Sequence, residues 1–551
     1  MAIKIKLGGR DVDVSENILD RAIRYVAPGA ANRRLMNRAA YAVAGGYTGG
    51  RRDKRSLSSW RPAGNSADAD ILPDLPMLRE RSRDLVRNEP LAAGAINTVT
   101  TNVVGTGLML KSRVHRDALG WDEDKAAEWQ RKTEREYCLW FNSTDCDATR
   151  TLNGYGLQDL AFRSAFENGD VLALLPFIDR RPGPYKLAVQ LIEADRVCNR
   201  DNVADTPRQA GGVVLDEYGA PVAYQVLNQH PGDRMVTRRT WTEYQAFGSN
   251  TGRRNVLHLY AMRRVGQRRG VPYFAPVIEA FKQIGRYSEA EIFAAVATAM
   301  FAVETHTEDR DGMSPLESAV AGTTPAAGSA DSPKGSNWDG TLSPGLTIDL
   351  GVNEEIKGFN PNRPNANFDP FVQAVLRQVG TALEIPFEVL IKHFTASYSA
   401  ARSALLEAWK FYRSRRCWLA DNFCQPIYAA WMEEAVALGR IDAPGFFEDP
   451  LLRAAYLGSQ WHGDGPGSID PLKEANAVEK RLQIGLRTLD QEIAEDSGSD
   501  FDTVTEQRSR EREALSEAGL LPPSPASAMA SDPADPAKPD PSAPTDDLPE
   551  Q

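Results

Sequence analysis

Cysteine is scarce and unpaired in this sequence: the five present, at positions 138, 146, 198, 417 and 424, form no C-x-x-C motif. An odd count spread in this way argues against a complete disulfide framework and fits a reducing, cytoplasmic setting. The six histidines are dispersed, and no H-E-x-x-H motif brings two of them onto one helix face. No G-x-x-x-x-G-K-[ST] loop occurs, which leaves a P-loop ATPase unsupported, and no Ser-His-Asp arrangement stands out by spacing. Long hydrophobic runs are missing too. The opening MAIKIKLGG lacks the continuous apolar stretch of a signal peptide, and the least polar helical stretch, Ile292 to Val303, is far short of the roughly 20 residues that span a bilayer. The expectation is a chain with no membrane segment, no metal, no cofactor and no catalytic residue.

What is present is ordinary for folded protein, with 42% apolar residues in a chain of 551, long enough for several compact units. The formal charge of −11 argues against a whole-chain nucleic-acid binder, while leaving local patches open.

Ile3 to Val14 alternates apolar and polar residues around Gly8-Gly9, which predicts a hairpin. Folding about that turn sets Lys6 against Asp11, Lys4 against Asp13 and Ile5 against Val12, so charge and apolar faces agree on one register. The basic, glycine-bearing stretch Arg21 to Arg61 reads either as a solvated flexible arm or as an arm that contacts nucleic acid or an acidic partner. From Leu78, LRERSRDLVRNEPLAAGAINTVTTNVVG predicts two helices broken at Asn88-Glu89-Pro90 and stopped by Gly105 and Gly107. Further helices are expected over 126–141 and 157–166, and a buried strand over 171–178. Residues 185–260 change to strand-like runs, YKLAVQLIEA, AYQVLN and NVLHLYA, between Gly, Pro and Asp punctuation. A helix from about Tyr273 to Ala302 follows, a rod of roughly 45 Å. The stretch from Thr305 to about Gly340 is too rich in Gly, Ser, Thr, Ala and Pro to bury a core, and reads as a disordered excursion. Short strands are expected in LSPGLTIDLGVNEEIKGF. Helices return at 471–485, opened by a Ser-x-Asp-Pro cap, and at 501–518, before a Pro-Ala-Asp tail.

Residues 369–438 hold the most regular apolar spacing. Leu405, Trp409, Tyr412, Leu419, Phe423, Ile427 and Trp431 recur at helical steps along one face, and His393 to Ser399 reads as a loop between two helices. Among smaller features, His258 reads as a structural histidine and Asp122-Glu123-Asp124 as a charged helix start. Asp145-Cys146-Asp147 is rejected as a calcium loop, because Arg150 stands where a sharp-turn Gly is needed. Cys417 and Cys424, seven apart, are expected on one helical face in core packing.

Several segments together resemble the lambda-family portal proteins of tailed bacteriophages and prophages. They are RSRDLVRNEPLAAGAINTVTTNVVGTGL at 81–108, IEADRV at 192–197, YGAPVAYQV at 218–226 with HPGD at 230–233, and GQRRGVPYFAPVIEAFKQIGRYSEAE at 266–291. LSPGLTIDL at 342–350, SYSAARSALLEAWKFYRSRR at 397–416 and DPLKEANAVEKRLQIGL at 470–486 complete the set. The resemblance implies an α+β, mainly helical, ring-forming fold with wing, stem, clip and crown. By position, an N-terminal hairpin and basic arm take 1–70, the α+β wing 71–270 and the first stem helix 271–302. The clip takes 303–362 with its disordered insert at 307–341. The second stem helix takes 363–391, a tunnel loop 392–400, the long helix and return to the wing 401–470, the crown 471–520 and the tail 521–551.

The family also implies a homo-oligomeric ring, usually of twelve, at one capsid vertex. Double-stranded DNA, the terminase large subunit, major capsid or scaffold proteins and head-completion or tail connector proteins are the implied partners, with no membrane. The virion, after assembly in bacterial cytoplasm, is the implied location. Candidate DNA contacts in the loop are Lys392, His393, Thr395, Ser397 and Tyr398, and candidate channel-lining residues of the stem are Lys282 and Arg286. A metal-dependent DNA-processing enzyme and a non-porous assembly scaffold remain alternatives.

Overall fold

The first strand pair follows the charges of the sequence. β1 (Ala2–Leu7) and β2 (Arg10–Ser15) pair antiparallel with Lys6 opposite Asp11, Lys4 opposite Asp13 and Ile5 opposite Val12, as the alternation predicts. In the computed structural model the described residues are 2–7, 10–15, 18–43, 48–50, 55–57, 59–179, 183–235, 238–300, 304–307, 354–357, 367–394, 397–467, 470–497 and 501–520. They fall into two units, 1–66 and 67–551. The expected insert beyond Thr307 and the tail 521–551 lie outside the described residues.

In the first unit the segment expected as a flexible arm is instead helical over α1 (Ile18–Val26) and α2 (Pro28–Val43). Leu35 and Ala39 of α2 pack with Val14, and Ile5 lies against them, so the marginal hairpin gains a third layer.

The second unit opens with α3 (Ala67–Ile71), α4 (Leu75–Asn88) and α5 (Pro90–Val103). The break falls at Glu89, whose extended backbone (φ −108°, ψ 110°) is what a following proline enforces. After β3 (Met109–Ser112) and the short α6 (Arg116–Leu119), α7 (Glu123–Phe141) is capped by Asp122, whose side chain accepts from the Lys125 amide. α8 (Gly154–Asn168) leads into β4 (Asp170–Leu174), which lies between β10 (Val256–Tyr260) and β5 (Gln190–Glu193) in a sheet of order β10-β4-β5. A meander of β6 (Gln209–Ala210), β7 (Val213–Leu215), β8 (Pro221–Leu227) and β9 (Trp241–Gln245) forms a second sheet. Leu172, Leu174, Ile192, Val213, Tyr224 and Val226 make the core between the two.

α9 (Ile278–Met300) starts later than its sequence predicts, because Pro276 lacks the amide of an interior turn and Ala275–Val277 forms a 3-10 turn instead. Its 23 residues give a rod of roughly 35 Å at about 1.5 Å each, not 45 Å. β11 (Glu304–Thr307) and β12 (Glu354–Lys357) pair antiparallel; β12 agrees with the short strands expected there, whereas Thr305 to Thr307 of β11, expected in the disordered excursion, are held as a strand by that pairing. Then come α10 (Phe368–Ala382), α11 (Phe387–Ile391), α12 (Tyr398–Leu419), a π-helical turn Ala420–Cys424 and α13 (Gln425–Ala437). α14 (Pro450–Tyr456) precedes β13 (Ser459–His462), which pairs with β3 and sets Trp461 opposite Leu110. α15 (Pro471–Gln483) has the predicted Asp470 cap on the Lys473 amide, and α16 (Leu489–Ser497) and α17 (Phe501–Glu517) follow.

The main core joins α5, α7, α8, α12 and α13. Tyr137 lies within 4.9 to 5.7 Å of the rings of Trp140, Phe141, Tyr428 and Trp431. Such contacts contribute beyond area alone, about 0.5–1.5 kcal/mol per pair.

Candidate functional site

The helix pair read from the sequence has an extra piece. α10 stops at Leu383, and Glu384 turns into the left-handed region with φ 55°. The Ile385 amide donates back to the Gly380 carbonyl at 2.9 Å, and a Cβ at Gly380 would lie 2.6 Å from the Ile385 oxygen. α11 then runs for one turn and ends at Lys392, also left-handed with φ 55°. His393 donates its amide to the Glu388 carbonyl at 3.1 Å. Ser397 opens α12 with extended backbone, its carbonyl accepting from Ala401. The connection is therefore shorter than 392–400, because α12 begins at Tyr398.

Lys392, His393 and Ser397 are exposed on this connection, as is Phe394; Thr395 lies outside the described residues, and Tyr398 is the first residue of α12. Lys282 and Arg286 are exposed one turn apart on α9, a separate element. Glu89 lies near Lys282: burial pushes its carboxyl up, and the Lys282 charge opposes that rise. α9 packs on α10 through Tyr287, whose ring is 5.2 Å from Phe368 and 5.4 Å from Phe371. Farther along α9, Ile292 (65%), Phe293 (76%) and Val296 (48%) are exposed.

The apolar face predicted on the long helix is real. Tyr412, Leu419, Phe423, Ile427 and Trp431 are buried, and Leu405 and Trp409 pack against the same core. The cysteine expectation fails: Cys424 is fully buried, where its thiol is pushed up by desolvation, but Cys417 is exposed. Seven residues return an α-helix to the same face, and the π turn between the two cysteines winds more slowly. At the other edge of this helix, Arg416 donates to the carbonyls of Asn102 and Val103 at 3.1 Å and of Asp464 at 2.9 Å. It thus satisfies the last turn of α5. Asp464 in turn accepts from the Thr106 amide and hydroxyl at 2.8 Å.

A buried ionic centre is the feature that periodicity and spacing do not disclose. Asp170, at the start of β4, accepts from Arg269 Nε at 2.6 Å, Arg79 at 2.7 Å, the Gly270 amide at 3.2 Å and meets His258 Nε2 at 3.1 Å. Burial pushes its carboxyl up, yet Arg269 and Arg79 hold it well below the usual carboxylate range. The same burial keeps His258 below its ordinary value, against the pull of Asp170. Arg269 also donates to the carbonyls of Ala194, Gly211 and Val197 at 2.7, 2.7 and 2.5 Å. Arg79 adds the Asn168 carbonyl at 3.0 Å. The only hint in the sequence is an aspartate opening an apolar strand, and the segments IEADRV and GQRRG both end on it.

Beside this centre, Glu193, Asp195 and His230 bring three ligand-type atoms within 4.8 Å. They do not fit a cation well. His230 Nδ1 accepts from the Gly232 amide at 3.0 Å, so a neutral ring carries its proton on Nε2, which faces Glu193 at 3.5 Å and Asp195 at 3.7 Å. Arg83 is ion-paired to both carboxylates already. The group is an ion-paired corner tying α4 to β5.

These elements define a helix-rich α+β fold whose buried charges hold segments together and which exposes Lys392 on a short connection and Lys282 and Arg286 on α9. The chain belongs to the lambda family of phage portal proteins, since the profile described as "Phage portal protein, lambda family" matches residues 53–416. It is 26% identical over 511 residues to the "Portal protein" of Escherichia phage N15, covering 89% of this chain and 93% of that one. It is 27% identical over 501 residues to "Portal protein B" of Escherichia phage lambda, covering 87% and 91%. The "Probable portal protein" of Halomonas phage phiHAP-1 is 24% identical over 473 residues, covering 84% and 85%. Among solved structures, a chain from the "Neck of empty GTA particle computed with C6 symmetry" has a TM-score of 0.39 at 14% identity, covering 73% of this chain and 98% of that one. A chain from the "Virion of native gene transfer agent (GTA) particle" has a TM-score of 0.38 at 14% identity, covering 72% and 96%.

Proposed function

We propose that copies of this chain form a homo-oligomeric ring at one capsid vertex, through which double-stranded DNA is packaged and later ejected. The ring carries no chemistry of its own and docks the terminase and the head-completion or tail proteins. The observation that carries this reading, beside family membership, is the exposed apolar side of α9, where Ile292, Phe293 and Val296 have no cover among the described residues. A helix with such a side calls for neighbours, and a closed ring supplies them on both flanks.

On this reading 71–270 is the wing, α9 and α10 are the stem helices, β11 and β12 belong to the clip, and α15 to α17 make the crown. Residues 392–397 then form the tunnel loop, with Lys392 and His393 as transient contacts to phosphate; Lys282 and Arg286 line the stem. The acidic balance of the chain suits such a conduit. A lumen lined densely with cations would release many counterions and bind DNA tightly, whereas few contacts let a duplex slide.

Electron microscopy of the purified full chain tests the reading. Rings with a central opening wide enough for a duplex are expected. Closed or filamentous particles, or a nuclease activity that depends on a divalent metal and an Asp or Glu, would defeat it.

A further inference from the structure

The unit formed by residues 1–66 has its apolar and polar sides reversed on one helix. The buried residue of α1 is Asp20, which meets Arg38 of α2 at 2.6 Å and Arg34 at 3.3 Å. Ile18, Leu19, Tyr25 and Val26 are 84, 64, 94 and 83% exposed. At about 100° per residue these four, with exposed Ala22, span an arc of roughly 120°. An apolar arc of this kind on a folded unit marks a place of association rather than a solvated face.

Charge points to the partner. Residues 1–66 hold 13 of the 64 Lys and Arg but 5 of the 75 Asp and Glu, so they carry +8 in a chain of −11, and the remaining residues carry −19. The match to the portal family begins at residue 53, so α1 lies outside it. A bare duplex would take the positive charge but leave four large apolar side chains in water. An acidic protein surface accommodates both.

We propose that the apolar face of α1 docks on an acidic surface of a second copy of this chain, so that the N-terminal unit straps neighbouring subunits. The inference rests on the ring reading, which sets copies side by side and makes a second copy the acidic protein at the highest effective concentration. Attraction between the basic unit and the acidic surface steers the approach, and burial of Ile18, Tyr25 and Val26 holds it.

Replacing Tyr25 by a photo-crosslinking benzoylphenylalanine in the full chain tests this directly. Irradiation is expected to give a covalent dimer on a denaturing gel. The dimer should fall at least tenfold when Ile18→Glu and Val26→Glu are added, while the thermal midpoint stays unchanged because Asp20, Arg34 and Arg38 are untouched. Crosslinks only within one chain, to lipid, to DNA or to another protein, or none at all, overturn the inference. Rings seen by microscopy without the covalent dimer overturn the strap alone; failure of the unsubstituted chain to form rings counts against the ring reading instead.

Discussion

Glu384 and Lys392 share one uncommon backbone state, each with φ at 55°, and they bracket the single turn α11 on its two sides. A non-glycine residue there costs of order 1 kcal/mol or more, so the surroundings must hold both. The pair turns the chain out of α10 and again toward α12. Lys392 therefore has two separable properties, a charge and a backbone shape. Asparagine tolerates the left-handed state, so Lys392→Asn is expected to keep stability and rings while lowering the rate of DNA packaging. A β-branched Lys392→Val is expected to lose about 1–2 kcal/mol as well. Packaging assays on rings checked by microscopy, beside urea midpoints, separate the two; unchanged packaging by Lys392→Asn would remove Lys392 from the DNA contacts.

Gly380→Ala is expected to destabilise the subunit by about 1–3 kcal/mol, since the new Cβ meets the Ile385 carbonyl at 2.6 Å and backbone must move. The same change should speed hydrogen exchange at the Ile385 amide, which donates to the Gly380 oxygen. Exchange as slow as in the parent chain would contradict the close approach.

Asp170→Asn leaves Arg269 buried without its counter-charge and Arg79 with only Asp195, at 4.0 Å. Removing one member of such a centre costs roughly 3–5 kcal/mol, and the loss should appear as a lower urea midpoint with the slope unchanged. A loss below about 1 kcal/mol would mean that the carbonyls around Arg269 suffice to hold it.

Acid should weaken the same region in two stages. Because His258 is held below its ordinary 6.5, the unfolded chain binds more protons there, and stability falls as pH drops through that value. Asp170, held well below its ordinary 3.8, removes more as pH falls beneath that point. The loss in urea midpoint between pH 7.5 and pH 5 should be smaller in His258→Gln than in the parent chain. Equal losses would exclude His258 as its source.

Phe293→Glu, alone or with Ile292→Glu, is expected to leave the subunit folded, because both side chains are already exposed, and to prevent ring closure. Sedimentation velocity would show subunits in place of rings. Intact rings at the same concentration would show that this side of α9 is not a subunit contact.

Local structure was legible where neighbouring residues decide it. The hairpin register followed from Lys4, Lys6, Asp11 and Asp13, and the break at Glu89 from Pro90. The buried face of α12 and α13 followed from spacing alone. Asp170 stayed hidden because its partners come from positions 79, 258 and 269, and no local period links residues so far apart. The stretch 21–61, expected as an arm, is helical over 18–43 for a related reason. Asp20 meets Arg34 and Arg38 across its two helices, and Leu35 and Ala39 pack on Val14, whereas composition shows only a basic segment. Of the loop candidates, the structure gathers Lys392, His393 and Ser397 on one connection, as the interruption of helical spacing implied.

The π turn at Ala420–Cys424 fixes the phase between two halves of one rod. Upstream, Arg416 reaches the end of α5; downstream, Glu434 receives the amides of Lys186 and Leu187 at 2.6 and 2.9 Å. Removing a single residue from the turn would restore an ordinary helix at nearly the same phase, because five residues of the wider turn and four of an α-helix both advance by roughly 400°. A residue removed from the α-helical part between Arg416 and Glu434 would instead rotate one half against the other by about 100°, and the two could not then both keep their partners. The rod behaves like a two-bitted key: what its two bits fix is the angle between them, and the turn is the one place where its length can change by a residue without changing that angle.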